Sequence, residues 1–175
     1  YSFVTLQAVN EKPLDSALVW LRRDLRLHDQ AALFHALTAA RRVWCCFVFD
    51  TTLLDALPRA DRRVEFIRDS LVGVDAELRA LAASHGVEGA GLIVRHGHAA
   101  DALPALAASL GVQAVYASHD DDPYALARDH RVGRECRHAE VVIHVAGGVV
   151  QSLCAGEQFP GRVRCEPGLA QRGAP

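Results

Sequence analysis

The chain has 175 residues, of which 50% are hydrophobic and 23% charged, with a formal net charge of −2. That is one domain, with or without a tail, and long enough to bury a core. The weak negative charge excludes a global electrostatic case for binding nucleic acid.

Tyr1–Asp15 lacks the charged region and apolar stretch of a secretory signal, so residues 1–16 are read as an N-terminal extension. The first strand is expected at Ala17–Leu21, a short run containing Val and Trp. Asp29 suits an N-cap, with Leu33, Phe34 and Leu37 following at helical spacing. Val43–Phe49 is the second strand; Cys45 and Cys46 within it should face opposite sides of a sheet. A long helix is expected from about Arg59 to Ser84. Val64, Ile67, Leu71, Val74, Leu78 and Leu81 are spaced by threes and fours, and Gly86 ends it. Leu92–Val94 is the third strand. Asp101 opens another helix that Gly111 stops, and Ala114–Tyr116 is the fourth strand. Pro123 fits the first turn of a helix running to about Arg137, and Val141–Val145 is the fifth strand.

The strand segments are continuously apolar instead of alternating, which argues for strands covered on both faces. The expected fold is α/β: an open five-stranded parallel sheet with helices on both faces, occupying residues 17–146. Gly and Pro punctuate residues 147–175, read as an irregular tail.

The cysteines, Cys45, Cys46, Cys136, Cys154 and Cys165, form no C-x-x-C and no zinc spacing with His. Reduced, buried thiols and a cytoplasmic location are expected. No apolar run approaches the length of a membrane span.

In an open parallel sheet, ligands bind beyond the carboxyl ends of the strands. Those positions hold Arg22, Arg23 and Asp24, then Asp50, then Arg95 and His96, then His119, Asp120, Asp121 and Asp122. A Walker loop is absent, and Gly86, Gly89 and Gly91 precede a strand instead of following one. This disfavours a dinucleotide dehydrogenase, and the lack of G-x-S-x-G disfavours a hydrolase elbow. His96, His98 and Asp101, and His119 with Asp120–Asp122, read as loop residues and helix caps, so no metal site is expected.

Leu18–Asp29 reads L-V-W-L-R-R-D-L-R-L-H-D, Asp61–Leu71 reads D-R-R-V-E-F-I-R-D-S-L, and Ser118–Asp129 reads S-H-D-D-D-P-Y-A-L-A-R-D. In this order and spacing the three segments resemble the DNA photolyase/cryptochrome family, specifically its N-terminal Rossmann-like α/β domain. The resemblance implies a domain that holds a light-harvesting antenna pigment. The family's helical domain, with its FAD and catalysis, would lie beyond this chain. FAD, catalytic residues and direct DNA binding are therefore not expected here.

The resemblance carries Asp120 and Asp122 onto an acidic pair that hydrogen-bonds a deazaflavin in some members, and Arg63 onto a basic residue lining the same cavity. Arg23 and Asp50 stand at neighbouring strand ends. Folate-type members place an Asn-Glu pair where this chain has Tyr124 and Ala125. A deazaflavin or flavin mononucleotide is therefore expected over a folate. The alternative is an interaction or nucleotide-binding module whose antenna site has been lost. Apolar surface on the face a helical domain would cover makes a homodimer a further expectation.

Overall fold

Successive strand residues point to opposite faces, and the first strand shows what that requires. In β1 (Leu14–Leu21), Ala17, Val19 and Leu21 enter one buried cluster, while Leu18 and Trp20 enter another. Such a strand needs a layer of helices on each side. The computed structural model describes residues 12–58 and 60–146 and supplies both layers.

After β1 come α1 (Ala31–Ala39), β2 (Ala40–Asp50), the single turn α2 (Thr51–Leu54) and α3 (Arg62–Ser84). Then follow β3 (Leu92–Gly97), α4 (Ala99–Leu110), β4 (Ala114–Ser118), α5 (Pro123–His138) and β5 (Val142–Ala146). All four strand pairings are parallel, in the order β3-β2-β1-β4-β5. Helices α1 and α3 pack on the face of Val19 and Leu21; α4 and α5 pack on that of Leu18 and Trp20. The fold class expected from the sequence is the one observed.

The central strands β1 and β4 are buried almost throughout, and Leu18, Val19, Leu21 and Val115 are fully enclosed. Burying each such side chain contributes about 1.5–3 kcal/mol. The apolar run of β3 is different. It is an edge strand, and its Val94 and Arg95 are exposed. Asp75 of α3 fastens its start by accepting a 2.7 Å bond from Leu92 N. Cys45 and Cys46 do face opposite clusters. Burial pushes the Cys45 thiol up to about 12, raises Cys46 further, and lifts Cys136 to about 11.

Several local expectations are corrected. The cap of α1 is Gln30, whose Oε1 accepts from Leu33 N at 2.5 Å. Asp29 instead adopts φ 51°, left-handed backbone that Asp tolerates in turns. In α1, Ala32, Leu33 and Ala36 face the sheet, while Phe34 and Leu37 are exposed. Helix α4 begins at Ala99 with His98 as its cap, two residues before Asp101. Gly111 ends it at φ 61°. Helix α3 starts after Asp61, not near Arg59, which lies outside the described residues. Its stripe packs on the sheet through Val74 and Leu78, with Leu71 also buried, whereas Leu81 is exposed. Strand β1 starts at Leu14, three residues before the expected Ala17. The tail at 147–175, with Cys154 and Cys165, and residues 1–11 lie outside the described residues.

Candidate functional site at the strand reversal

The chain runs outward from β1 through β2 to β3, then returns to place β4 on the other side of β1. The strand order therefore reverses between β1 and β4, the place where open parallel sheets bind their ligands. Asp24, from the loop after β1, accepts bonds from the Ser118 hydroxyl at the end of β4 and from Gln30 Nε2 at 2.9 Å. Since Gln30 also caps α1, one side chain joins both loops to a helix start.

Above this seam, Arg23 reaches from the β1 loop to the β4 loop. Its Nε lies 3.3 Å from Asp120 Oδ2, and its Nη2 lies 3.9 Å from Asp122 Oδ2. Asp120 is nearly buried, while Arg23 is 72% exposed. Each acid also has a local task. Asp120 accepts from Asp122 N at 3.2 Å, and Asp122 accepts from Tyr124 N at 2.9 Å to cap α5. Each carboxylate keeps lone pairs beyond these bonds. The pair can thus accept hydrogen bonds from a ring N–H or hydroxyl, with Arg23 as a movable counter-charge. His119 pairs with Asp121 at 2.9 Å instead of joining this group.

Below the seam is a network that sequence reasoning did not assemble. Arg22 donates to Asp129 of α5 at 2.5 and 2.8 Å, and Arg128 donates to the same carboxylate at 3.0 Å. Both guanidiniums lie over Trp20, at 5.0 and 4.7 Å from its ring. Such stacking suits the planar, weakly hydrated guanidinium. Arg22 Nη2 is buried without a partner.

The other two sequence candidates stand apart from the acidic pair. Asp50 is buried at the end of β2, where it caps α2 through Thr52 N at 3.1 Å. It lines a cavity of about 120 Å³ together with Thr52, His98, Tyr124, Arg128 and Arg131. Arg63 is exposed at the start of α3 and forms a forked pair with Asp61, reaching 2.5 Å. That side-chain bond, with the Arg63 backbone N–H, holds the Asp61 carboxyl down at about 2. Arg63 shares no bond or ion pair with Asp120, Asp122 or Arg23 among the described contacts. Among the described residues no cluster of His, Cys, Asp and Glu could hold a metal ion. None of their helices is long and apolar enough to cross a membrane.

Residues 17–151 match the family model for DNA photolyase. The chain is 33% identical over 144 residues to a deoxyribodipyrimidine photo-lyase of Streptomyces griseus, covering 82% of this chain and 30% of that protein. It is 32% identical over 126 residues to cryptochrome-2 of Gallus gallus, covering 71% of this chain and 20% of that one. The structure overlays 74% of the chain on an archaeal photolyase of Sulfolobus tokodaii, with TM-score 0.64 and 28% identity, over 28% of that chain. A Synechocystis cryptochrome shares the fold at TM-score 0.65. The chain thus spans less than a third of the length of each of these relatives. The match to the family model over residues 17–151, the sequence identity and the shared α/β fold together show that the chain belongs to the DNA photolyase family.

Proposed function

We propose that the domain binds a flavin-like antenna pigment at the β1–β4 crevice and does no bond chemistry itself. The observation that carries this reading is the pair Asp120 and Asp122, held at the sheet's carboxyl edge with Arg23 across from them. Carboxylates are natural acceptors for the N–H and hydroxyl donors of a tricyclic ring. The Sulfolobus tokodaii relative, described with two FAD molecules and an implied light-harvesting cofactor, supports a flavin-type ligand. A folate is disfavoured because Tyr124 and Ala125 occupy the turn where folate-type members carry Asn and Glu. Any excitation energy would pass to a flavin held elsewhere. Light-dependent repair of pyrimidine dimers is therefore not expected from this chain with added FAD.

Titration of the purified chain with flavin mononucleotide, a deazaflavin and a reduced folate, followed by absorbance above 350 nm, tests the reading. The flavin-like rings should bind and the folate should bind more weakly. Replacing both Asp120 and Asp122 by Ala should weaken the ring by at least about 2 kcal/mol, because two charge-assisted hydrogen bonds are lost. Tighter binding of folate, or equal binding by the double variant, would overturn it.

A further inference from the structure

Helix α5 turns a basic face to solvent. Its buried side is made by Ala125, Asp129, Val132, Gly133 and Cys136. At 3.6 residues per turn the opposite side carries His130, Arg131, Arg134, Arg137 and His138, all exposed. Arg134 has His130 and Arg131 one turn before it and Arg137 and His138 one turn after it. Like charges at these spacings repel each other and weaken a helix, so α5 draws no stability from Arg131 beside Arg134. The helix dipole favours Arg137 and His138 in the last turn, but not Arg131 and Arg134 in the middle turns.

The rest of the chain does not neutralise this face. Neither Arg131 nor Arg134 makes a side-chain ion pair or hydrogen bond among the described residues. Three arginines of α3 show the contrast: Arg63 pairs with Asp61 at 2.5 Å, Arg68 with Asp69 at 2.9 Å and Arg79 with Asp75 at 2.8 Å. On α5, Asp129 is buried with Arg22 and Arg128, and the one exposed acid, Glu135, stands at the border of the face, four positions after Arg131.

The chemistry of the face selects its occupant. Tyr124 and Leu126 are the only large hydrophobic side chains that α5 exposes, and both lie in its first turn. From residue 127 onward the face therefore lacks the apolar centre that a protein partner would use. A nucleic-acid backbone needs no such centre, because it is held by charge, and the planar guanidinium fork fits its phosphates. Arg131, Arg134 and Arg137 follow one another over roughly 9 Å of helix axis, a length in which one strand of a duplex presents about two or three phosphates.

We infer that the outward face of α5 docks on the phosphate backbone of a nucleic acid without reading its sequence. The contact is independent of the pigment at the acidic pair. It departs from the expectation drawn from the net charge of −2, because attraction at a surface in salt is set by charges within about 10 Å and not by the sum over the chain.

Fluorescence anisotropy of a short labelled DNA duplex, titrated with the full chain, tests this. Binding should be saturable and alike for two unrelated sequences. The logarithm of the affinity should fall against that of the salt concentration with a slope of about −2 to −3, roughly one unit for each phosphate contacted. At about 0.1 M salt, Arg131→Glu with Arg134→Glu should weaken binding by about tenfold or more. Arg131→Gln with Arg134→Gln, which keeps good helix formers, should weaken it by about fivefold or more. Arg62→Glu with Arg68→Glu makes the same change in net charge as the first pair, at exposed positions of α3 on the other side of the sheet, and should leave affinity within about twofold. No saturable duplex binding, a strong preference for one sequence, or equal loss in the α3 variant overturns the proposal. A polyglutamate peptide supplies a protein-like polyanion, and the duplex should bind more tightly than the peptide. Tighter binding of the peptide assigns the face to an acidic protein and overturns the nucleic-acid occupant.

Discussion

At the scale of single residues, Asp129 has the largest structural role. Its carboxylate is the shared partner of two guanidiniums that are themselves stacked on Trp20. Asp129→Ala would strand both charges in a nearly dry environment. A destabilisation of about 3–5 kcal/mol is expected, read from the midpoint of urea unfolding. Asp129→Asn, which keeps an acceptor, should cost less. A loss below about 1 kcal/mol for the alanine variant would mean that water reaches the cluster. The motif A-R-D was visible in the sequence, but the role of its Asp was not. Arg22 is 107 positions away, and only the pairing of β1 with β4 and the packing of α5 bring the two together.

At the scale of elements, α5 joins stability to the crevice. Asp122 caps the helix through Tyr124 N and Ala125 N, and its other oxygen faces Arg23. Asp122→Ala should cost about 1 kcal/mol of stability through the lost cap, and Asp122→Asn much less, because Asn caps as well as Asp. Both variants should weaken a flavin-like ligand, since neither offers a carboxylate. Comparing thermal unfolding with ligand titration for the two separates cap from site; equal stability of the two variants would contradict this division. This helix start was legible because Asp-Pro is a local signal, needing only adjacent residues. The starts of α1 and α4 were not. There the caps are Gln30 and His98, residues of weaker capping preference, whose side chains are recruited by Asp24 and by Thr51 and Thr52 from other segments.

At the scale of the whole molecule, the α1–α3 layer leaves apolar surface uncovered. Phe34 and Leu37 on α1, with Phe66, Val72 and Leu81 on α3, are exposed, Phe66 at 72%. Patches of this kind mark surfaces that associate. Sedimentation velocity should therefore show concentration-dependent self-association of this chain, and Phe34→Glu with Phe66→Glu should return it to monomer. A strict monomer at high micromolar concentration would count against the expectation. The sequence places these side chains on amphipathic helices. It does not show that the stripe of α3 is only partly covered, since that depends on how close the helix lies to the edge strand β3.

Local chemistry determined the strands, the long helices, the Gly111 stop, the Asp122 cap and the parallel α/β class. Apolar runs, helical spacing and turn residues act over a few positions and survive reading in one dimension. The strand ends could be named as the place for a ligand, because a parallel sheet gathers its carboxyl edge on one side. Which of those residues meet was decided by tertiary structure alone. The order β3-β2-β1-β4-β5 sets Arg23 against Asp120 and Asp122, and Asp24 against Ser118. It leaves Arg63 with Asp61 and puts Asp50 in a separate cavity beside Arg128. Electrostatic and hydrogen-bond energies depend on distances in space, and those distances follow from strand order and helix packing instead of from separation along the chain.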